Sequence, residues 1–152
     1  MPTLSGGFGT LSPADVAAAE RSLGVTLPDD YRQFLLTSNG GRPEPRSFPV
    51  PGRGDALVNM LFGIRNARTR FDLAYELELA TELDPLPPGF IVVGNDPGGS
   101  SLLLSTGGSD AGKVYFWDRA GLWVRDDGHN TFPVADSFAA FVASLRHMPA
   151  DA

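Results

Sequence analysis

Residues Leu23 to Gly41, LGVTLPDDYRQFLLTSNGG, constrain this chain more than any other stretch, because they state where a helix starts, which face it buries and where it stops. Pro28 suits the first helical position, where its missing N–H costs nothing. Asp29 and Asp30 follow in the first turn, beside the positive end of the helix dipole. Tyr31, Phe34 and Leu35 fall on one apolar face at helical spacing. Asn39, Gly40 and Gly41 tolerate positive φ and end the helix abruptly. No catalytic group stands in the segment, so it reads as scaffold.

A second helix precedes it. Ser12, Pro13 and Asp15 form a Ser-x-x-Asp start signal, with Leu11 and Val16 placed as a hydrophobic staple, and Gly24 stops the helix near Leu23. The short connection predicts a helical hairpin. Residues 1–10 are rich in Gly, Ser and Thr and read as a flexible N-terminus. Between Gly41 and Gly54 stand Pro43, Pro45, Pro49 and Pro51, a density of breakers that predicts a loop or flap without regular structure. Ala56 to Ile64 reads as a weak strand. Phe71 to Leu83 reads as a helix whose acids, Asp72, Glu76, Glu78 and Glu82, make a solvated face.

The second half turns to β signals. Phe90 to Val93 suits a buried strand, Asn95-Asp96-Pro97-Gly98-Gly99 is turn chemistry, and Ser101 to Ser105 returns as a strand. Lys113 to Asp118 is the strongest strand by aromatic and β-branched content, with Leu122-Trp123-Val124 as its expected partner across Arg119-Ala120-Gly121. A terminal helix from about Asp136 places Phe138, Phe141, Val142 and Leu145 at i, i+3, i+4 and i+7. The pattern predicts a single α+β domain: an N-terminal helical hairpin, a central twisted, mostly antiparallel sheet with a crossing helix, and a C-terminal helix packed on the sheet.

At 152 residues the chain is long enough for one core, burying roughly two-thirds of its unfolded surface. It has no cysteine, which removes disulfides and thiolate chemistry together. Eighteen acids against twelve basic residues give a formal charge of −6, unlike a general nucleic-acid binder and compatible with a basic protein partner. No apolar run is long enough to span a bilayer and no secretory signal stands at the start, so the expected location is cytoplasmic, with no membrane partner.

Three motifs in order carry a family resemblance: Leu23-Gly24, Leu27-Pro28, Tyr31, Phe34-Leu35 and Asn39-Gly40-Gly41; then Ile91 to Gly99; then Gly112 to Asp118. Together they resemble the SUKH superfamily of Smi/Knr-like domains over about residues 11–148, leaving 149–152 as a tail. The resemblance implies helices around a twisted antiparallel sheet and a binding role. Many bacterial members look like immunity proteins that bind and neutralise polymorphic toxins, often nucleases; eukaryotic members look like regulatory interaction modules. It therefore implies a non-enzymatic immunity protein whose partner is the catalytic domain of a cognate toxin or another protein, or alternatively a regulatory module without a toxin partner. Family members often carry histidine after the Trp-Asp pair, where this chain has Arg119.

Other chemistry finds little support. Asp126, Asp127 and His129 match no metal-site spacing, and the Asp96–Ser100 turn lacks the lysine and following helix of a phosphate loop. No serine stands in a nucleophile elbow. The expected catalytic, metal and cofactor sets are empty. His147 is placed to cap the last helix. The expected partner contacts are the Gly41–Gly54 loop with Glu44, together with Asp96, Trp117, Asp118 and Arg119. An open strand edge at Lys113–Asp118 is the expected route to strand addition by a partner or by a second copy, so the chain is expected to be a monomer or a homodimer.

Overall fold

A computed structural model describes residues 2–64, 70–83, 86, 88–121 and 130–147. The helix signals convert directly. Helix α1 spans Pro13–Leu23, and the Ser12 hydroxyl accepts from the Asp15 N–H at 3.2 Å while the Asp15 carboxylate accepts from the Ser12 N–H at 2.8 Å. A capping box of this kind satisfies two orphan donors at once. Gly24 closes the helix in the left-handed region, and the Leu27 N–H donates to Glu20 at 2.8 Å to fix the hairpin.

Helix α2 spans Asp29–Thr37, with Pro28 as its N-cap rather than its first turn. Asp30 does more than face the dipole. One carboxylate oxygen accepts from the Tyr31 N–H and the other accepts from the Ala139 N–H at 2.9 Å, joining α2 to the start of α4 at Phe138–Ala143. Ser137 caps the same helix by accepting from the Ala140 N–H at 3.0 Å.

The strands are β1 (Thr3–Ser5), β2 (Arg42–Glu44), β3 (Ser47–Val50), β4 (Gly54–Leu57), β5 (Met60–Leu61), β6 (Phe90–Asn95), β7 (Ser101–Ser105), β8 (Val114–Trp117) and β9 (Thr131–Ala135). Helix α3, Leu73–Leu83, packs against β6. A five-stranded antiparallel sheet runs β5-β6-β7-β8-β9. Gly41 and Leu61 exchange two backbone hydrogen bonds, at 3.0 and 2.9 Å, so the β1–β2 pair continues the sheet beyond β5. All five residues of β7 are buried, as expected of a central strand covered on both faces. Leu102, Leu104, Val114 and Phe116 share one face by register; there Phe116 meets Phe48 of β3, and Phe48 meets Phe141 of α4 at 5.1 Å. Tyr31 and Phe138 stack edge-on at 4.7 Å alongside. Such ring pairs contribute about 1 kcal/mol each beyond their burial.

Several expectations are corrected. The proline-dense stretch after Gly41 is not an unstructured flap: it forms β2, β3 and the start of β4. The two prolines of this stretch that fall within strands are Pro43, opposite Leu4, and Pro49, opposite Asp55, where alternate backbone donors point out of the ladder and a missing N–H is tolerated. Thr3–Ser5 lies paired on β2 as β1. The expected open edge at Lys113–Asp118 is an interior strand, β8, with β7 on one side and β9 on the other. Leu122-Trp123-Val124, expected to pair with it, lies outside the described residues, as do Asp126, Asp127 and His129. His147 does not cap α4, which ends at Ala143 with Ser144 as its cap. Among the described residues no helix is long and apolar enough to cross a membrane.

Candidate interaction surface

The β6–β7 turn is built by one side chain. An oxygen of Asp96 accepts from the Gly98 N–H at 3.0 Å and the Ser100 N–H at 2.7 Å, while the Asp96 N–H donates to the Ser100 carbonyl. Aspartate suits this position because its short carboxylate reaches donors two and four residues on. Ser100 is buried, and its hydroxyl accepts from the Ala120 N–H at 3.2 Å, fastening the turn to the segment after β8. Asp96 is therefore half-buried structure as well as surface.

Register brings the remaining expected residues to the same end of the sheet, since Asn95 faces Ser101 and Ser101 faces Trp117. The Arg119 guanidinium lies 4.9 Å above the Trp117 ring and donates to the Ser101 hydroxyl at 3.3 Å. Trp117 is 3% exposed and Asp118 1%. Both residues, expected as contacts, are interior in this structure. Arg119 is the group this triplet presents, and Trp117 is the platform that holds it flat.

Sequence reasoning missed two members of this surface. The Asn59 amide donates to Asn95 Oδ1 at 3.1 Å, and Arg42 donates to Asn59 Oδ1 at 3.2 Å. Glu44 stands two residues from Arg42 on the same exposed side of β2, its carboxylate 3.7 Å from His147 Nδ1. A polar strip thus runs from Glu44 through Arg42, Asn59 and Asn95 to Asp96. Only the alternation of β2 could have announced Arg42, and prolines obscure it.

Elsewhere, a cleft of about 450 Å³ lies between α1 and α3, floored by Ile64 and Leu73. Its two carboxylates are engaged at helix starts: Asp15 in the α1 box, and Asp72 accepting from the Tyr75 N–H at 3.2 Å. In the Gly-rich connection before β8, Asp110 accepts from the Tyr115 hydroxyl at 2.7 Å and the Ser105 hydroxyl at 3.1 Å. The Tyr115 hydrogen bond, then that of Ser105, holds the Asp110 carboxyl below its ordinary range; the same carboxylate pushes the Tyr115 phenol up. Among the described residues, no three His, Asp or Glu side chains stand together as a metal site.

The sequence profile of the SMI1/KNR4 family (SUKH-1) matches residues 10–144. The chain belongs to this family. No curated protein matches it. The match gives the buried motif residues a common meaning within SUKH-1. Leu27, Tyr31, Leu35, Asn39, Val93, Val114, Phe116, Trp117 and Asp118 are all interior, so much of the motif set builds the core, while Asn95 to Gly99 of the same set reach the surface.

Proposed function

We propose that this SUKH-1 chain is a non-enzymatic immunity protein that binds a cognate toxin and blocks its catalytic domain. The observation that carries this reading is the burial of most of the apolar and aromatic motif residues. When those residues form the scaffold, while Glu44, Arg42, Asn59 and Arg119 lie outside the motifs and Asn95 and Asp96 at the end of one motif reach the surface, the scaffold supports partner recognition by its rim better than a shared reaction at a common site. The formal charge of −6 favours a basic partner and speeds its approach, while Arg119, held on Trp117, supplies an ordered cation at the rim of contact.

The test is coexpression with toxin domains encoded beside it, followed by a binding measurement with the purified pair. Rescue of growth together with a stoichiometric complex is the expected result. Failure of both with every neighbouring toxin overturns the immunity reading. A regulatory interaction module shares the same family support; an isolated locus and capture of a non-toxin partner whose activity changes on binding would favour it.

A further inference from the structure

Five asparagines occur in the chain, and Asn39 is the one followed by glycine. Asparagine is chemically labile, and most so before glycine, which has no side chain to keep its own amide nitrogen from turning back on the carboxamide. Here both residues are buried, with Asn39 only 1% exposed. The carboxamide is engaged at both atoms. Its Oδ1 accepts from the Ile64 N–H, and its Nδ2 donates to the Ile64 and Gly9 carbonyls.

Gly40 is hemmed in as well. A Cβ built on it would come within 2.9 Å of the Leu61 carbonyl oxygen and of the Phe8 ring. The next residue, Gly41, is pinned by the two hydrogen bonds it exchanges with Leu61. We propose that Asn39-Gly40 is a latent deamidation site silenced by the fold, which reacts only when the junction of α2, the N-terminal segment and the residues after β5 opens.

The chemistry is internal to the chain. Base removes the proton of the Gly40 amide nitrogen, and that nitrogen attacks Asn39 Cγ. The bond from Cγ to Nδ2 breaks, and Nδ2 takes up a proton and leaves as ammonia. The five-membered imide then takes up one water at either carbonyl and opens to an aspartyl or an isoaspartyl link. Attack requires the nitrogen and carbon to meet in the right orientation, so the carboxamide must swing away from Ile64 and Gly9. In the closed fold that motion leaves buried backbone groups unpaired, which holds the reactive geometry to a rare open form.

The product does not fit the place it came from. A carboxylate has no proton to donate to the Ile64 and Gly9 carbonyls, and an isoaspartyl link adds a carbon to the backbone where Gly40 has no room. Modification is therefore one-way. A chain that stays open long enough to react is marked and does not regain its native junction. This inference does not rest on the immunity reading.

The test keeps the intact chain at mildly alkaline pH, folded in buffer or unfolded in guanidinium chloride. Mass spectrometry follows the tryptic peptide Gln33–Arg46, whose one asparagine is Asn39. Amide-to-acid conversion is expected in the unfolded chain and at least about a hundredfold slower in the folded one, because a domain of ordinary stability is rarely open. Phe8→Ala, which removes the ring beside Gly40, is expected to speed the folded-state reaction about tenfold and leave the unfolded rate unchanged. When the denaturant is removed, the refolded fraction should retain the amide and the fraction that stays unfolded should carry the acid. Similar rates in the folded and unfolded chains, an unaltered folded-state rate in Phe8→Ala, or modified chains that refold with an unchanged melting temperature would each overturn the proposal.

Discussion

The Asn39 carboxamide pairs with Ile64 as a strand residue would: its Oδ1 accepts from the Ile64 N–H at 2.8 Å, and its Nδ2 donates to the Ile64 carbonyl at 3.0 Å. The same Nδ2 donates to the Gly9 carbonyl at 3.1 Å, and the Asn39 carbonyl accepts from the Phe8 N–H. One buried side chain therefore ties the end of α2 to the N-terminal segment and to the residues after β5. The packing around it is tight enough that a Cβ on Gly63 would come within 2.6 Å of the Asn39 carbonyl oxygen.

Replacing this carboxamide leaves the Ile64 N–H and carbonyl buried and unpaired. Asn39→Ala is expected to cost about 3 kcal/mol, from the loss of three hydrogen bonds and the desolvation of their partners. Asn39→Asp should also destabilise, since a carboxylate cannot donate to Ile64 or Gly9. Urea unfolding of the two variants measures this; a loss under about 1 kcal/mol in both would contradict the assigned role.

Tyr31 gives the opposite expectation. Its ring packs against Phe34 and Phe138, yet its hydroxyl is fully buried with no hydrogen-bond partner among the described residues, and burial pushes the phenol far above its ordinary pKa. Tyr31→Phe keeps the ring and removes an unsatisfied polar atom, so stability should rise by about 1 kcal/mol. A lower melting temperature in this variant would mean the hydroxyl has a partner in solution.

Acid should loosen the connection before β8. Asp110 titrates below its ordinary value of 3.8, first because of the Tyr115 hydrogen bond and then because of Ser105. A depressed folded pKa contributes stability that is fully present above the unfolded value. It is lost as pH falls through the folded one, so the window lies below about pH 4. Carboxyl NMR shifts of Asp110 should show the low midpoint, and Tyr115→Phe should move it upward. An unchanged midpoint in that variant would remove Tyr115 as the main cause.

The stack at the end of the sheet separates binding from folding. Arg119→Ala removes the presented cation and should weaken partner binding about tenfold with little loss of stability. Trp117→Ala empties a core position and should cost about 4 kcal/mol. Calorimetric binding paired with thermal melts distinguishes the two; equal stability losses would mean Arg119 is structural.

Elements with complete local punctuation were legible. The Ser12–Asp15 box, the Tyr31–Leu35 face and the Phe138–Val142 spacing each appear as helix in place, because caps and periodicity act within a few residues. The β6 to β8 strands were legible from their apolar runs. Strands β2 and β3 were not, because prolines there sit on ladder edges whose position depends on distant partners, while the single strand read over Ala56 to Ile64 divides into the end of β4 and β5. Pro133 likewise hides β9, Thr131–Ala135, which takes the place beside β8 that the sequence had assigned to Leu122-Trp123-Val124. At the candidate surface, Asp96 was readable as a turn builder and Arg119 as a surface group. The interior placement of Asp118 and the link from Arg42 to Asn59 were not, since both arise from cross-strand register.

An indole sealed from water beneath a guanidinium is also an optical gauge. Light emitted by Trp117 depends on the charge poised over its ring, so a partner that lifts Arg119 away would change the intensity or colour of that emission without any added dye. The stack gives the molecule its own readout of occupancy.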